Sequence, residues 1–161
     1  MKMTEPTRRS VLVIAAAAAC ACAGCPLLAP AAPAKASPPV DLGPLKDFTR
    51  DGVRDQWAAS DGFFVVSRGG RVFAVSSHCT HKKVQLVPAK NDDGFKCPRH
   101  GSTFDAAGHV IKSPARKPLP RFAIRLNDAG HLIVNPGSQF GEKEWNDPAA
   151  FVRTDKQVAG K

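Results

Sequence analysis

The sequence predicts an all-β fold of small antiparallel hairpins, and three observations predict it. Short runs of β-branched and aromatic residues recur through the chain. The 14 Pro and 13 Gly cut the 161 residues into pieces too short for long helices beyond the N-terminus. The segments between the runs carry the Gly, Asn and Asp that tight turns need. In chain order, Phe63-Phe64-Val65-Val66 and Arg71-Val72-Phe73-Ala74-Val75 flank Arg68-Gly69-Gly70, whose two glycines supply the positive φ of a hairpin turn. Thr103-Phe104 and His109-Val110-Ile111 flank Ala106-Ala107-Gly108. Phe122-Ala123-Ile124-Arg125-Leu126 and His131-Leu132-Ile133-Val134 flank Asn127-Asp128-Ala129-Gly130. Three hairpins imply a domain of roughly a hundred residues with a small core, which a bound metal or cluster would reinforce.

Composition narrows the function. The chain has 23 Lys+Arg against 14 Asp+Glu, a formal net charge of +9. Both signs alternate along it, with no basic run and no groove-reading helix, so the surplus points to an acidic partner and not to nucleic acid. The length excludes a large catalytic barrel or a doubly wound sheet.

The N-terminus reads as an export signal. Thr7-Arg8-Arg9-Ser10 precedes an apolar, Ala-rich run, and small residues follow up to Gly24. The arginine pair before the apolar run resembles the twin-arginine type, which carries folded, often cofactor-loaded proteins across a bacterial inner membrane. Three fates stay open for this leader: cleavage near Ala34 or Ala36, lipidation at Cys25 in Ala23-Gly24-Cys25, or retention as an anchor. The apolar run of residues 11–25 is shorter than the roughly 18 residues of a membrane span. Residues 1–34 are therefore taken as signal, 35–44 as a Pro/Ala-rich linker, 45–136 as the folded domain and 137–161 as a polar tail.

Three of the five cysteines fall in the leader, so no disulfide framework is expected. The other two sit in Cys79-Thr80-His81 and Cys97-Pro98-Arg99-His100, each a thiol beside an imidazole on a segment between strands. A Cys2His2 set on two loop tips holds either a zinc ion or an iron-sulfur cluster. The one-residue spacer of Cys79-Thr80-His81 suits zinc poorly, since zinc pairs are usually two to four residues apart.

Beyond the ligand pairs, the chain carries Cys97-Pro98-Arg99-His100-Gly101-Ser102-Thr103-Phe104-Asp105, then Gly108 and Val110, and Ser113-Pro114-Ala115 with Pro118-Leu119-Pro120. From about Asp41 to Val134 it resembles the Rieske iron-sulfur protein family. The resemblance implies two loops holding one [2Fe-2S] cluster, with Cys79 and Cys97 on one iron, His81 and His100 on the other, and Pro114 in a third loop that covers it. It also implies a reduction potential between roughly −150 and +300 mV, because neutral imidazoles leave the cluster less negative than four thiolates do. The chain departs from the respiratory cytochrome bc type: Val84 and Arg99 stand where that type has disulfide cysteines, and Phe104 where it has a Tyr. A potential below that of the bc type is expected, with Ser102 as the remaining hydroxyl donor.

The expected function is that of an exported electron-transfer protein at the periplasmic side of a bacterial inner membrane. It would be a small subunit or carrier for a periplasmic oxidoreductase, resembling the small subunit of arsenite-oxidase-type molybdenum enzymes. It is not expected to be an enzyme alone, because a Rieske oxygenase needs a separate mononuclear iron site. The alternatives are the iron-sulfur subunit of a bc-type quinol–cytochrome c oxidoreductase, or a structural zinc module. The expected partner is a cytochrome or a larger oxidoreductase subunit, docking on Lys82, Lys83, Lys96 and Arg99 beside the ligands. Membrane contact is expected only through the leader. His78, His109, His131 and Asp105 are read as loop, surface and turn residues, and Trp57 and the phenylalanines as packing.

Overall fold

Phe63–Arg68 (β3) and Arg71–Ser76 (β4) form the central hairpin, paired Phe63 to Ser76 through Arg68 to Arg71. Their side chains from Phe63 to Ser67 and from Val72 to Ser76 are all buried, so both faces of this ribbon are covered, which is why it is apolar without alternation. Gly69 and Gly70 close it at φ +58° and +71°, the left-handed pair expected of its turn. This computed structural model describes residues 37–90 and 93–154. The leader with its cysteines lies outside the described residues.

The ribbon is part of a seven-stranded antiparallel sheet. Its order is Val40–Pro44 (β1), His131–Phe140 (β10), Arg121–Leu126 (β9), β4, β3 and Gly52–Arg54 (β2), with Val152–Arg153 (β11) also on β4. Phe63, Val65, Val72 and Ala74 meet Phe122, Ile124, Leu132 and Val134 inside it, closed by Leu45 and Phe48 of a 3-10 turn. The other face of the ribbon packs on a four-stranded sheet of Val87–Pro88 (β5), Gly94–Lys96 (β6), Thr103–Asp105 (β7) and Val110–Lys112 (β8), in that order. Phe64 stacks on Phe95 with ring centroids 4.6 Å apart and joins the two sheets. Such a pair contributes about 1 kcal/mol beyond its buried area.

The three expected hairpins are β3–β4, β7–β8 and β9–β10. The folded unit, however, reaches past both expected bounds of 45 and 136. Residues 40–44, taken as linker, form β1 against β10. Pro39 and Pro44 made this stretch read as a tether, but a sheet edge tolerates proline because one side of the strand needs no donors. On the other side, β10 continues to Phe140, Trp145 and Ala150 are buried, and β11 pairs with Arg71 and Val72, the part of β4 that β9 leaves free. Among the described residues there is no α-helix, and no helix is long and apolar enough to cross a membrane.

Candidate metal centre

The four-stranded sheet delivers both ligand segments at one end. Cys79-Thr80-His81 lies between β4 and β5, and Cys97 to His100 between β6 and β7. The first loop closes on itself: the Cys79 N–H donates to the Val84 carbonyl at 2.8 Å, and the Lys83 N–H returns to the Cys79 carbonyl at 2.8 Å. Ser77, fully buried, anchors its base by donating its hydroxyl to the Ala58 carbonyl at 2.9 Å. In the second loop the Cys97 N–H donates to the Ser102 carbonyl at 2.8 Å and the Gly101 N–H to the Cys97 carbonyl at 3.0 Å. Gly94, at φ +146°, lets β6 lie against β7 so closely that a Cβ there would collide with the Phe104 carbonyl.

Residues 113–120, between β8 and β9, form a third loop tied to both ligand loops. The Ala115 N–H donates to Ser102 Oγ at 3.0 Å, and Thr80 Oγ1 donates to the Lys117 carbonyl at 2.6 Å. Pro114 is exposed in this loop. The ties join residues 13 and 37 positions apart, and nothing local in the sequence signals them.

The four candidate donors come together and sort by type. Cys79 and Cys97 are 0% and 2% exposed, are both free thiols and lie in one core cluster. His81 and His100 are exposed, their rings meeting edge to face with centroids 5.1 Å apart. Burial pushes the Cys97 thiol up, but hydrogen bonds from the His100 and Arg99 backbones and from Cys79, with the charge of Arg99, bring it below its ordinary value of 9.0. A sulfur so placed is prepared to carry negative charge. Lys82, Lys83, Lys96 and Arg99 are all exposed beside these donors.

The residues given other roles lie where those roles need them. His78 is half-buried, bridges to Gln85 and has Nδ1 3.5 Å from Ser77 Oγ. Asp105 Oδ1 accepts the N–H groups of Gly108 and His109, each at 2.8 Å, as a turn former does. Val84 packs against the core and Phe104 is buried. Sequence reasoning missed a stack in which the buried Arg121 guanidinium lies 3.8 Å from the Phe73 ring centroid and 4.3 Å from that of Trp145.

A family model described as the Rieske [2Fe-2S] domain matches residues 39–123. The chain belongs to this family. Among its Rieske-type relatives, a cytochrome b6-f complex iron-sulfur subunit from Chlorobaculum tepidum is 29% identical over 94 residues, 58% of this chain and 51% of that protein. A carotenoid phi-ring synthase from the same organism is 36% identical over 70 residues, 44% of this chain and 10% of that protein. The chain thus spans about half the length of the first and a tenth of the second. A solved structure, the cyanobacterial plasma membrane Rieske protein of Synechocystis PCC 6803, is 29% identical, with a TM-score of 0.44 over 59% of this chain and 97% of that one.

The cofactor of a Rieske domain is a [2Fe-2S] cluster, and the donors here fit one. Two imidazoles on one metal, at a metal–nitrogen distance of about 2.1 Å and a tetrahedral angle, have centroids about 5 Å apart. The observed pair has that spacing, and the two soft thiols belong to one buried core cluster.

Proposed function

We propose that the chain is an exported one-electron carrier in which Cys79 and Cys97 hold one iron of the cluster and His81 and His100 the other. Its role is that of a small subunit or carrier for a periplasmic oxidoreductase. The observation that carries this reading is the polarity of the donor set, with thiols buried and imidazoles exposed. The bound cluster supplies reversible one-electron oxidation and reduction. The chain's own residues do the rest. Buried Phe95, Phe104 and Leu86 pack about the thiol end in a common core with Cys79 and Cys97 and keep it dry. The three loops, tied by Thr80 and Ser102, hold the imidazole end open toward a partner.

In this reading residues 1–34 act as a twin-arginine-type signal and the protein works at the periplasmic face of the inner membrane. The redox partner, a cytochrome or a larger oxidoreductase subunit, docks on Lys82, Lys83, Lys96 and Arg99, all exposed beside the ligands. The potential lies below that of bc-type proteins, since no Tyr is present and a buried Phe104 occupies the matching position. A redox titration reaching the top of the range of about −150 to +300 mV would refute this.

The deciding experiment takes absorption and EPR spectra of the purified protein, oxidised and dithionite-reduced, with iron, sulfide and zinc assayed on the same sample. Two irons and two sulfides per chain with a reducible Cys/His-type signal are expected, and each single change Cys79→Ser, Cys97→Ser, His81→Ala and His100→Ala abolishes them. One zinc and no colour would overturn the reading. A second reading, the iron-sulfur subunit of a quinol-oxidising complex, is favoured by the similarity to a cytochrome b6-f complex iron-sulfur subunit. Reduction that depends on added quinol would select it.

A further inference from the structure

The four cations beside the ligands are part of a larger arrangement that the third loop completes. The first ligand loop (residues 79–84), the second with its leading residue (96–102) and the third with its leading residue (112–120) contain no Asp or Glu. Their cations now include Lys112, Arg116 and Lys117, all exposed. The fold brings these three to the same end as the ligands. Thr103 is the register partner of both Lys96 and Lys112, so the two lysines flank it on one face of the small sheet. Lys117 is tied to the first ligand loop through Thr80, and Arg116 follows Ala115, which is tied to Ser102.

Charge is also ordered along the four-stranded sheet. β6 runs from Gly94 to Lys96 and β7 from Thr103 to Asp105, with Gly94 opposite Asp105. The carboxylates Asp93 and Asp105 therefore lie at the end away from the ligands, and the cations lie at the ligand end. His109 pairs with Asp105 and Glu142, and His131 with Asp41, and no salt bridge seen among the described residues involves a cation of this rim. Gathering these long cationic side chains at one pole leaves a positive field at the exposed imidazoles. That field is only partly screened across a Debye length of about 8 Å.

We propose that Lys112, Arg116 and Lys117 extend the imidazole end into a carboxylate-free cationic rim that docks the acidic surface of a redox partner protein. The proposal rests on the electron-carrier reading. One electron then passes from the reduced protein to the partner's ferric haem, leaving it ferrous, with no bond or proton exchanged. The rim sets where the partner lands and how tightly, and so the salt dependence of the encounter.

The test uses the oxidised holoprotein and, as probe, an acidic c-type cytochrome, with the dissociation constant measured by calorimetry at about 20 and 300 mM NaCl. The triple variant Lys112→Glu/Arg116→Glu/Lys117→Glu is compared with Lys46→Glu/Arg50→Glu/Arg68→Glu, exposed cations elsewhere on the domain with the same total change in charge. Binding of the parent protein is expected to weaken about tenfold or more between the two salts. The rim variant weakens it by about tenfold at low salt and converges with the parent at high salt, whereas the control shifts it less than about threefold. Stopped-flow oxidation of the dithionite-reduced proteins by the same cytochrome follows the same order.

Equal effects of the two triple variants, or binding indifferent to salt, overturn the proposal. So does a rim variant that loses only its binding to phosphatidylglycerol vesicles and keeps its affinity for the cytochrome, since the rim would then serve a membrane surface. Loss of the cluster signal in the parent protein is a separate failure, that of the electron-carrier reading. The neutral variant Lys112→Gln/Arg116→Gln/Lys117→Gln, with an intermediate effect expected, guards against misfolding by charge reversal.

Discussion

Thr80 Oγ1 donates to the Lys117 carbonyl at 2.6 Å, so the residue between Cys79 and His81 holds down the loop that carries Pro114. Replacing Thr80 with Val keeps the shape and removes the donor. The expected cost is about 1 kcal/mol, with the Lys117 carbonyl left to water. Hydrogen exchange of the amides in residues 113–120 should accelerate, while those of β3 and β4 stay protected. Thr80→Ser should restore the parent pattern. Unchanged exchange in Thr80→Val would show that the tie contributes nothing to the loop's order.

Glycine matters at Gly94 for a different reason than at Gly130. Both have positive φ, but a Cβ at Gly94 collides with the Phe104 carbonyl and lies 2.8 Å from the Asp105 carbonyl carbon, whereas one at Gly130 meets nothing within 4 Å. Gly130→Ala should cost about 1 kcal/mol, the left-handed penalty alone. Gly94→Ala must also separate β6 from β7 and should cost more than about 3 kcal/mol. Because the loop joining those strands holds Cys97 and Ser102, it should lower iron content as well. Thermal unfolding and an iron assay on the two variants separate the cases.

Trp145 holds the C-terminal segment down on the domain. It is 6% exposed, lies over the Arg121 guanidinium and meets the His109 ring at 4.7 Å. Burial lowers the Arg121 pKa to about 10, with the charge of Arg71 adding to the effect and that of Asp105 opposing it, so Arg121 is still a cation at neutral pH. The Trp145 indole N–H and Arg121 Nε are buried with no hydrogen-bond partner among the described residues. Trp145→Phe should therefore be close to neutral, within about 1 kcal/mol, because it removes an unpaired donor and keeps a ring over the cation. Trp145→Ala should cost about 3–5 kcal/mol and open residues 141–150 to proteolysis. Equal stability of the Phe and Ala variants would show that the segment is not held by this ring.

The hairpins, and the segments that bring the four candidate donors together, were legible in the sequence because each rests on local pattern: the Gly69-Gly70 turn, the alternation of Phe122, Ile124 and Leu126, and the two Cys/His pairs. What stayed hidden depends on contacts between distant residues. β1 was obscured by its flanking prolines, which an edge position tolerates. β11 is two residues long, too short for any period, and exists because β9 leaves Arg71 and Val72 unpaired. The Phe73–Arg121–Trp145 stack draws on three segments, and an arginine in a strand pattern reads as solvated until burial is known. Nothing in the local sequence sets the third loop's cations apart from ordinary surface charge. Only the Lys96–Thr103–Lys112 register and the Thr80 tie bring them to the ligand end.

The edge strand that sequence reading missed also carries a pH-dependent contact. Asp41, exposed on β1, accepts the Gly43 N–H at 2.8 Å and faces His131 Nδ1 at 3.0 Å. The Gly43 hydrogen bond first, and then His131, hold its carboxyl below the ordinary value of 3.8. A carboxyl depressed in the folded state stabilises the fold above its unfolded pKa, and that stabilisation is lost as pH falls through the folded value. The contribution should thus be complete above about pH 5 and fade below 3.8 as Asp41 takes up a proton. Asp41→Asn keeps an oxygen for Gly43 but carries no charge. The gap in melting temperature between parent and variant should be widest near pH 6 and close toward pH 2–3, with amides of β1 and of Leu132 and Val134 exchanging faster in the variant at pH 6. A gap that is constant across this range would show that the carboxylate charge plays no part in holding β1 to β10.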